Sequence, residues 1–507
     1  MLERAAKLHA GRIAVLDGST ARTFSELAAD VEVVATGLRA IGISPGDRVI
    51  VSVSTGLKGI AVLYALSQIG AVSVPINEYW TPVEVESVIR RSDAVYAVSD
   101  SRLGEPGQPL PVALGMVDLL RRPGFGVIDD SLEIRWQRPD SRHETRASNP
   151  EDTAMLLFTS GSTSTPKGVL ITHAGLVGAA HYVGLTGEIS AEDRMIHMLP
   201  HYHVGGVVDG ILGMHLVGAA TIPIRFNTER ILQIFEHSRA TVLVGFDSMI
   251  DAVLAAATYD RRRHPYWTTA MITGSEQTYD RLRDAGVNRI VTGYGMTETS
   301  GLAAGTRPSQ PDEIRRAGHW LPVPGVDIKV IDPVTNQPVR EGMSGELTIR
   351  GWSLFGGYVD GEKHCDEAGY FRTGDRVRLH PGHTFSFDGR LKDMVKTGGE
   401  NVACHEVEEF LVSHIDAVRS AVVVGVSDDR WGQIVVALVE FQPGSTLSED
   451  ALRGMCSGKL SAFKIPKRVI AVSPGTWPLM ASGKVDRHAL TAQATEYINP
   501  SPTAFKS

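Results

Sequence analysis

The sequence predicts an α/β protein with a large N-terminal domain of helix-covered, mostly parallel sheets, a small antiparallel barrel-like part and a small α+β C-terminal domain. Three observations support this prediction. Short runs rich in Val and Ile alternate with segments of helical period in the first part of the chain. From about residue 325, apolar and polar residues alternate and turn residues become frequent. A charged, glycine-rich stretch then precedes a short series of helices and strands.

The first part of the chain contains apolar runs typical of buried strands, separated by helical patterns. The strand candidates are RVIVSV (48–53), AVSVPI (71–76), AVYAVS (94–99), TVLVGF (241–246) and RIVTGY (289–294). The helix candidates between them include LKGIAVLYALSQIG (57–70) and TPVEVESVIRRS (81–92). Such alternation favours parallel sheets covered by helices.

The later part of the chain has a different pattern. VDIKVIDPV (326–334), GELTIRG (345–351) and RVRLHPGHTFSFDG (376–389) predict antiparallel strands. The stretch 389–402 combines charge and glycine without an apolar core, and we interpret it as a hinge. The C-terminal helix–strand–strand–helix–strand series consists of 405–414, 419–426, 434–441, 448–460 and 467–472. The predicted domains are therefore residues 1–388 and 394–507, joined by a hinge at 389–393.

Composition excludes several classes of function. The 507 residues carry 50 basic and 58 acidic side chains, a net charge of −8, which gives no basis for binding nucleic acid or an anionic membrane. The N-terminus lacks a long apolar signal segment, and the most apolar window (240–257) contains Asp247 and Asp251. Cys365, Cys404 and Cys456 show no CxxC spacing. We expect a cytoplasmic protein with reduced thiols, without a membrane span.

The stretch TSGSTSTPKG (159–168) lies between two apolar runs and concentrates hydroxyls, glycines and one lysine. Backbone N–H and hydroxyl groups in such a loop can donate to an anion, and phosphate is the natural ligand. The loop is not a Walker A motif, because Pro166 precedes Lys167 where that motif has glycine. The alternative is a solvated Ser/Thr-rich turn, although strands on both sides argue against a linker.

This loop resembles the phosphate loop of the adenylate-forming superfamily, which includes acyl-CoA synthetases, aryl-CoA ligases, peptide-synthetase adenylation domains and firefly luciferase. Six further motifs follow in the family's order, and the resemblance covers about residues 20–490. They are LPHYHVGG (199–206), TGYGMTET (292–299), YFRTGD (370–375), GRLKD (389–393), KTGGENV (396–402) and PLMASGKVDR (478–487). The chain departs from the family pattern at Ser164, Asp247 and Ala403–Cys404, which bear on loop geometry and substrate fit.

The resemblance implies an acid–thiol ligase that works in two steps with ATP, Mg²⁺ and coenzyme A. A carboxylate attacks the α-phosphorus of ATP to give acyl-AMP and pyrophosphate, and a thiol then displaces AMP. By resemblance, Lys484 bridges the carboxylate and the α-phosphate, Thr297 donates to that phosphate, and Glu298 holds Mg²⁺. Without the family context, Lys484 is a solvated lysine in a turn and the Thr-Glu-Thr triplet is a helix cap.

The resemblance also implies the residues that bind the nucleotide. Tyr294 would stack on the adenine ring, Asp375 would accept from both ribose hydroxyls, and Arg390 would support the same sugar. As alternatives, Tyr294 is a half-buried strand tyrosine and Asp375 a turn residue. The full set for ATP or AMP is Thr159, Ser160, Gly161, Ser162, Thr163, Ser164, Thr165, Lys167, Ser275, Glu276, Gln277, Tyr294, Gly295, Met296, Asp375 and Arg390.

The C-terminal domain is implied to act as a mobile lid. It would deliver Lys484 for adenylation and then withdraw it for the thiol, with Lys392 at the pivot. The residues implied for coenzyme A are Gly398, Gly399, Glu400, Trp431 and Phe463. Trp431 and Phe463 are equally consistent with core aromatic residues of the small domain.

The acyl pocket implied by the resemblance is lined by His203, Val204, Gly205, Asp209, Phe246, Gly274 and Gly293. His203 would also gate the thiol tunnel, whereas His201 and His203 lack a third ligand for a metal site. Amino-acid-activating relatives have Phe-Asp where this chain has His203–Val204, which argues against an α-amino acid. Gly205 and Gly206 leave room at the wall, so we hypothesise a bulky, partly polar acid, alicyclic or aromatic, and medium-chain fatty acids as the next choice.

Two other functions remain open from the sequence. An acyl-AMP ligase would load a carrier protein instead of coenzyme A, and a catalytically inactive module would only bind nucleotide. The presence of Lys484, Glu298 and Asp375 argues against the inactive module. The sequence fixes neither the acid nor the oligomeric state, for which a homodimer is a hypothesis.

Overall fold

The computed structural model describes residues 1–77, 80, 82–99, 124–128, 131–136, 149–159, 167–361, 365–391, 394–397, 400–428, 430–457, 459–480 and 485–499. The α-helices are α1 (Leu2–Leu8), α2 (Phe24–Ala40), α3 (Leu57–Ile69), α4 (Pro82–Ser92), α5 (His173–Thr186), α6 (Val204–Val207), α7 (Gly213–Leu216), α8 (Thr228–Ser238), α9 (Asp247–Leu254), α10 (Glu276–Asp284), α11 (Asp312–Arg316), α12 (Cys404–His414), α13 (Glu449–Cys456) and α14 (Arg487–Ile498). A π-helical turn, Val208–Leu212, joins α6 to α7, and 3₁₀ turns span Thr297–Thr299 and Pro381–His383.

The strands are β1 (Ile13–Asp17), β2 (Thr20–Thr23), β3 (Arg48–Ser52), β4 (Val72–Pro75), β5 (Tyr96–Ser99), β6 (Gly124–Ile128), β7 (Ile134–Trp136), β8 (Thr153–Thr159), β9 (Lys167–Thr172), β10 (Arg194–His197), β11 (Ala220–Pro223), β12 (Val242–Val244), β13 (Thr269–Ile272), β14 (Arg289–Tyr294), β15 (Ala304–Gly305), β16 (Leu321–Pro322), β17 (Val326–Ile331), β18 (Ser344–Gly351), β19 (Gly357–Tyr358), β20 (Phe371–His380), β21 (Thr384–Arg390), β22 (Met394–Thr397), β23 (Glu400–Ala403), β24 (Val418–Asp428), β25 (Gly432–Phe441) and β26 (Arg468–Val472). The five apolar runs predicted as buried strands contain β3, β4, β5, β12 and β14.

One large sheet runs in the order β16-β15-β14-β13-β12-β10-β11-β1-β2. Its strands from β14 to β1 are parallel, while β2, β15 and β16 add antiparallel edges. The parallel strands are short Val- and Ile-rich segments buried on both faces, as helix-covered parallel sheets require. Their carboxyl ends share one edge, where ligands of open α/β sheets commonly bind.

A second large sheet has the order β19-β9-β8-β4-β3-β5-β6-β7. Its central strands are parallel, whereas β8 and β9 form an antiparallel hairpin in which Thr159 faces Lys167. The residues between these two strands, 160–166, lie outside the described part of the chain.

The third and fourth sheets are smaller. Strands β17-β18-β20-β21 form one, in which β20 and β21 pair antiparallel, and β23-β22-β25-β24 form the other, with β26 parallel to β25. The helix α12 packs on β24 over a core that includes Val407, Leu411 and Val423. The predicted fold class, with parallel and antiparallel sheets and an α+β C-terminal part, is confirmed.

The chain divides into two compact units. The first comprises residues 1–327 and 349–371, and the second comprises residues 328–348 and 372–507. The second unit thus includes β20 from Arg372 onward and all of β21, although both strands begin before the expected hinge. The domain limits at 388 and 394 and the hinge at 389–393 stay predictions. Among the described residues, no helix has the length and apolarity needed to cross a membrane.

Candidate active site

A tight turn follows the carboxyl end of β14. A side chain at Gly295 would place its Cβ 1.8 Å from the carbonyl oxygen of Gly301, so the turn admits glycine alone at this position. The Met296 N–H donates to Thr299 Oγ1 at 3.0 Å and fixes the 3₁₀ turn that carries Thr297 and Glu298. The residues 294–298, which are predicted to bind the nucleotide and Mg²⁺, therefore lie on one rigid turn at the carboxyl end of β14.

Glu298 is tied to the predicted phosphate loop by Tyr358. The Glu298 side chain is 9% exposed, and Tyr358 Oη donates to its Oε1 at 2.8 Å. Lys167 Nζ lies 5.0 Å from the Tyr358 ring centroid, because β19 pairs with β9 and aligns Tyr358 with Val169. Thr159, Lys167 and Glu298 are thus brought to one neighbourhood. Sequence reasoning missed Tyr358, which no motif marked.

The Glu298 carboxylate fits Mg²⁺. Magnesium prefers hard oxygen ligands and uses one or two protein carboxylates together with phosphate oxygens. The Tyr358 hydroxyl orients the carboxylate through Oε1, as partners outside a metal's own ligands commonly do.

An indole ring supports the surface predicted to meet adenine. Trp320 lies 5.8 Å from Tyr294 between ring centroids, at an interplanar angle of 35°. Its Nε1 donates to Thr292 Oγ1 at 2.9 Å, and a Cβ built on Gly274, whose φ is +118°, would approach its ring to 3.0 Å. Tyr294 and Gly274 therefore meet around Trp320. Sequence reasoning missed this residue as well, since an isolated tryptophan outside any motif carries no signal.

The residues that follow β13 have structural roles in the ligand-free chain. Ser275 caps α10 by accepting from the Thr278 N–H at 3.3 Å, and Glu276 forms an ion pair with Arg316 at 2.5 Å. Gln277 is half-buried on the first turn of the same helix. These contacts hold the start of α10, and the ion pair joins it to α11.

The predicted acyl residues gather after the carboxyl end of β10. His203 Nδ1 accepts from the Gly205 N–H at 3.1 Å, and the His203 ring meets Phe246 edge-on at 5.6 Å. Val204 approaches Gly301, whose carbonyl also closes the turn at Gly295. The residues predicted for the acid and those predicted for the nucleotide in the first unit are therefore adjacent at Gly301.

Asp209 is a half-buried carboxyl on the π-helical turn. Its Oδ2 lies 2.9 Å from the position that a Cβ would take on Gly205, beside His203. Burial raises the pKa of Asp209 to about 7. No hydrogen bond from the described part of the chain compensates this carboxyl, which is uncommon for a desolvated polar group.

Two buried histidines, His197 and His201, lie beside the π-helical turn that contains Asp209. The rings of His197 and His201 stack with centroids 5.8 Å apart, and a Cβ on Gly210 would meet His197 Nδ1 at 1.9 Å. Burial lowers the pKa of His201 to about 4 and holds that of His197 well below its usual value, where nearby His201 and His215 add repulsion. The histidines are therefore neutral near pH 7. The described residues contain no group of three His, Cys, Asp or Glu side chains that could hold a metal.

In the second unit, the predicted ribose residues form a cross-strand pair. Asp375 on β20 faces Arg390 on β21, and Arg390 Nε lies 3.1 Å from Asp375 Oδ1. The Asp375 side chain is almost fully buried, so the arginine offsets the cost of burying its charge.

The residues predicted for coenzyme A that can be described lie in the second unit. Trp431 is exposed between two cations, with Lys467 Nζ 4.3 Å and Arg430 Cζ 5.0 Å from its ring centroid. Phe463 is half-buried and packs against the core of the same unit, and Glu400 begins β23. Other predicted site residues lie outside the described residues, namely Ser160, Gly161, Ser162, Thr163, Ser164, Thr165, Lys392, Gly398, Gly399 and Lys484.

Comparison with known proteins decides the family. A model of the AMP-binding enzyme family matches residues 2–359, and a model of the AMP-binding enzyme C-terminal domain matches residues 406–484. The chain belongs to the AMP-binding enzyme family. The predicted membership of the adenylate-forming superfamily is confirmed, as is the prediction of an enzyme.

Several known proteins resemble this chain over nearly its full length. YngI of Bacillus subtilis (strain 168), named among the acyl-CoA synthetases, is 30% identical, with 98% of this chain and 97% of YngI covered. Feruloyl-CoA synthase of Amycolatopsis sp. is 30% identical, with 95% and 96% covered. ATP-bound MatB from Rhodopseudomonas palustris shares the fold with a TM-score of 0.85 at 23% identity, with 98% and 99% covered.

Proposed function

We propose that this AMP-binding enzyme is an ATP-dependent acid–CoA ligase that forms acyl-AMP and then an acyl-CoA thioester. The observation that carries the proposal is the linked group of Lys167, Tyr358 and Glu298 beside the turn at Tyr294. The Lys167 ammonium and the Glu298 carboxylate both contact Tyr358, next to the donor-rich sequence between β8 and β9. Such a group suits the phosphates of a nucleotide, and the names of the relatives support a CoA ligase.

In the first step, the chain has to hold two anions against each other. Catalysis therefore depends on positioned donors and cations more than on a strong base. In this proposal, Thr159 to Lys167 bind the β- and γ-phosphates, Thr297 donates to the α-phosphate, and Lys484 bridges it to the substrate carboxylate. Glu298 would hold Mg²⁺, which supplies positive charge to the phosphate oxygens.

The second unit supplies the ribose contacts in this proposal. Asp375 is held by Arg390, and its carboxylate oxygens can accept from the two vicinal hydroxyls of the ribose. Tyr294, supported by Trp320, provides the flat surface for adenine.

For the second step, an exposed aromatic ring flanked by cations suits a nucleotide with phosphate groups. Trp431 with Lys467 and Arg430 has this character, which supports coenzyme A as the acceptor. A carrier protein presents pantetheine without the nucleotide, so this cluster would have no partner under the acyl-AMP ligase alternative.

The acid we propose is bulky and partly polar, alicyclic or aromatic. Asp209 adds a polar group beside His203, and this polar contact supports the proposal. The expected room at Gly205 and Gly206 is not found, because a Cβ on Gly206 would lie 2.0 Å from the Pro200 carbonyl oxygen and one on Gly205 would lie 2.9 Å from Asp209 Oδ2. A medium-chain fatty acid is the second candidate, since it would fill the same space but leave Asp209 without a partner.

An acid panel tests the function. We expect ATP-dependent pyrophosphate exchange with a subset of aromatic or alicyclic acids, and an acyl-CoA product detected by mass spectrometry when coenzyme A is added. Faster transfer to a pantetheinylated carrier than to free coenzyme A would favour the alternative ligase. If no acid supports exchange, the chain is a nucleotide-binding module and the proposal is wrong.

Replacing Lys484 separates the two steps. Lys484→Ala should slow adenylation by about 10²-fold or more, because a charge that stabilises the transition state is lost. Transfer from supplied acyl-AMP to coenzyme A should stay within about twofold of the wild type, since Lys484 is withdrawn in that step. Lys459→Ala, at an exposed lysine of the same unit, is the control. Equal loss in both half-reactions would contradict the proposed exchange of lid positions.

A further inference from the structure

A cavity distinct from the predicted acyl pocket lies in the first unit. It is bordered by α1, α3, α5 and the stretch from Val207 to Leu212. Its volume is about 370 Å³, within the range of small-molecule sites. Its walls are mostly apolar and include Leu63, Met155, Leu176 and Ile211. Among the described residues, none of those predicted for ATP, the acid or coenzyme A lines it.

One end of this cavity is polar. Ser67 Oγ lies 3.4 Å from His173 Nδ1, while the buried Nε2 of His173 has no hydrogen-bond partner within the described residues. Burial lowers the pKa of His173, although Asp152 opposes the shift, so the ring is neutral near pH 7. The other hydroxyl there is engaged, because Ser73 Oγ donates to the Ala154 carbonyl at 3.3 Å. The Ser67 hydroxyl lines the cavity and, in the described part of the chain, has only its 3.4 Å contact with His173, so it suits a ligand with one hydrogen-bonding group.

The described lining does not favour an ionic ligand. Its formal charges are the carboxylate of Glu3 and the α-amino group of Met1, which are opposite in sign, and it includes no lysine or arginine side chain. An anion would meet Glu3 as well as the Met1 amine, and a desolvated charge without a partner of its own costs several kcal/mol in order of magnitude. The lining therefore complements an uncharged molecule better than a free carboxylate or a coenzyme A derivative.

The cavity shares a wall with the predicted acyl pocket. Val207, Ile211 and Leu212 line the cavity, while His203, Val204 and Asp209 of the same continuous stretch belong to the acyl set. The stretch contains a π-helical turn, a less stable geometry than the α-helix that often marks functional sites. A molecule packed against Ile211 would therefore bias the turn that carries Asp209.

We propose that this cavity is an effector site for an uncharged, mostly apolar small molecule with one hydrogen-bonding group, which acts on acid binding through the shared π-helical turn. The binding part of the proposal is independent of the catalytic function. The effect on acid binding rests on the proposed function.

The test uses 2-naphthol as an uncharged probe and 2-naphthalenesulfonate as its charged counterpart, titrated by probe fluorescence without ATP or coenzyme A. We expect saturable binding of 2-naphthol and at least about tenfold weaker binding of the sulfonate. Ser67→Phe fills the polar end and Val177→Trp fills the mouth, and each should weaken naphthol binding by about tenfold. Leu185→Trp, at an exposed position of α5 that does not line the cavity, is the matched control. Thermal melting identifies any variant that fails to fold, and Val177 is itself exposed, so its replacement leaves the core intact.

Two results would overturn the site. One is the absence of saturable naphthol binding to the wild type. The other is binding that survives both filling variants but is lost in Asp209→Leu, which would locate the probe in the acyl pocket. The effector role has its own readout, because 2-naphthol should change the KM for the acid in pyrophosphate exchange by about twofold or more in the wild type and not in Ser67→Phe. Binding with an unchanged KM would overturn that role, whereas an enzyme without any exchange would contradict the proposed function instead.

Discussion

Two carboxylates of the first unit follow strands of the same sheet but lie in opposite environments. Glu298, after β14, accepts a hydrogen bond from Tyr358 at 2.8 Å, and its own carbonyl accepts from the Phe355 N–H at 2.9 Å. Asp209, after β10, has no such bond from the described chain, and burial raises its pKa to about 7. The Glu298 carboxylate is therefore oriented by Tyr358, whereas the Asp209 carboxyl has no hydrogen bond from the described chain.

Under the proposed function, this difference would separate a group needed for the reaction with every acid, Glu298, from a group that recognises one kind of acid, Asp209. A group that holds Mg²⁺ on phosphates meets the same partner in every turnover, so orienting it in advance lowers the cost of reaching the transition state. A carboxyl in an acid-binding pocket gains by remaining uncompensated, because the correct substrate then supplies the missing hydrogen bond and an acid without it does not.

The largest expected effect comes from removing the fixed charge. Glu298→Gln keeps an acceptor for Tyr358 but loses the negative charge, so adenylation should fall by about 10²–10³-fold, measured by pyrophosphate exchange at constant Mg²⁺. Tyr358→Phe leaves the charge and removes only its orientation, so a loss of about tenfold is expected. If the tyrosine variant is as impaired as the glutamine variant, charge at Glu298 is not what the site requires.

Asp209 should control the selectivity between acids and not the rate with an acid that lacks a polar group. For an acid that carries a ring ketone, Asp209→Leu should lower kcat/KM by about 10–100-fold relative to its hydrocarbon analogue, because an unpaired buried acceptor or donor costs about 1–3 kcal/mol. The expected loss is confined to the polar acid. A uniform fall for both acids would mean that Asp209 supports the turn and does not recognise substrate.

The protonation state of Asp209 gives that selectivity a pH dependence. Below about pH 7 the carboxyl is neutral and can donate to a ketone, and above that pH it ionises and cannot. The preference for the keto acid over its hydrocarbon analogue should therefore decline as pH rises from 6 to 8.5, measured as a ratio of kcat/KM values. Asp209→Asn is a donor at every pH and is the control, since its ratio should stay flat.

The contrast also explains what could be predicted from the sequence. The strand β14 and Glu298 were predictable, because a Val- and Ile-rich run and a local motif carry both. Tyr358 was not, since it reaches Glu298 from sixty residues downstream through the pairing of β19 with β9. The π-helical turn that contains Asp209 was also not predictable, because no spacing in the sequence reveals the close contact between His197 and Gly210 found there. Local patterns therefore indicated the elements, and contacts between distant segments determined the electrostatics.

The smallest expected effect concerns His201, one of the buried histidines beside the π-helical turn that contains Asp209. The folded pKa of His201 is about 4, below its usual value, so the unfolded chain binds more protons between pH 6.5 and 4. Stability is therefore fully present above about pH 6.5 and declines as pH falls, and the melting temperature should drop between pH 7 and pH 5. His201→Gln should make this dependence shallower, whereas His181→Gln, at an exposed histidine of the same unit, should leave it unchanged. Asp209 contributes with the opposite sign, because its raised pKa costs stability as pH rises towards 7. If the melting temperature of His201→Gln depends on pH as steeply as that of the wild type, the His201 ring titrates in contact with water. The surroundings of the π-helical turn would then be less desolvated than their packing implies.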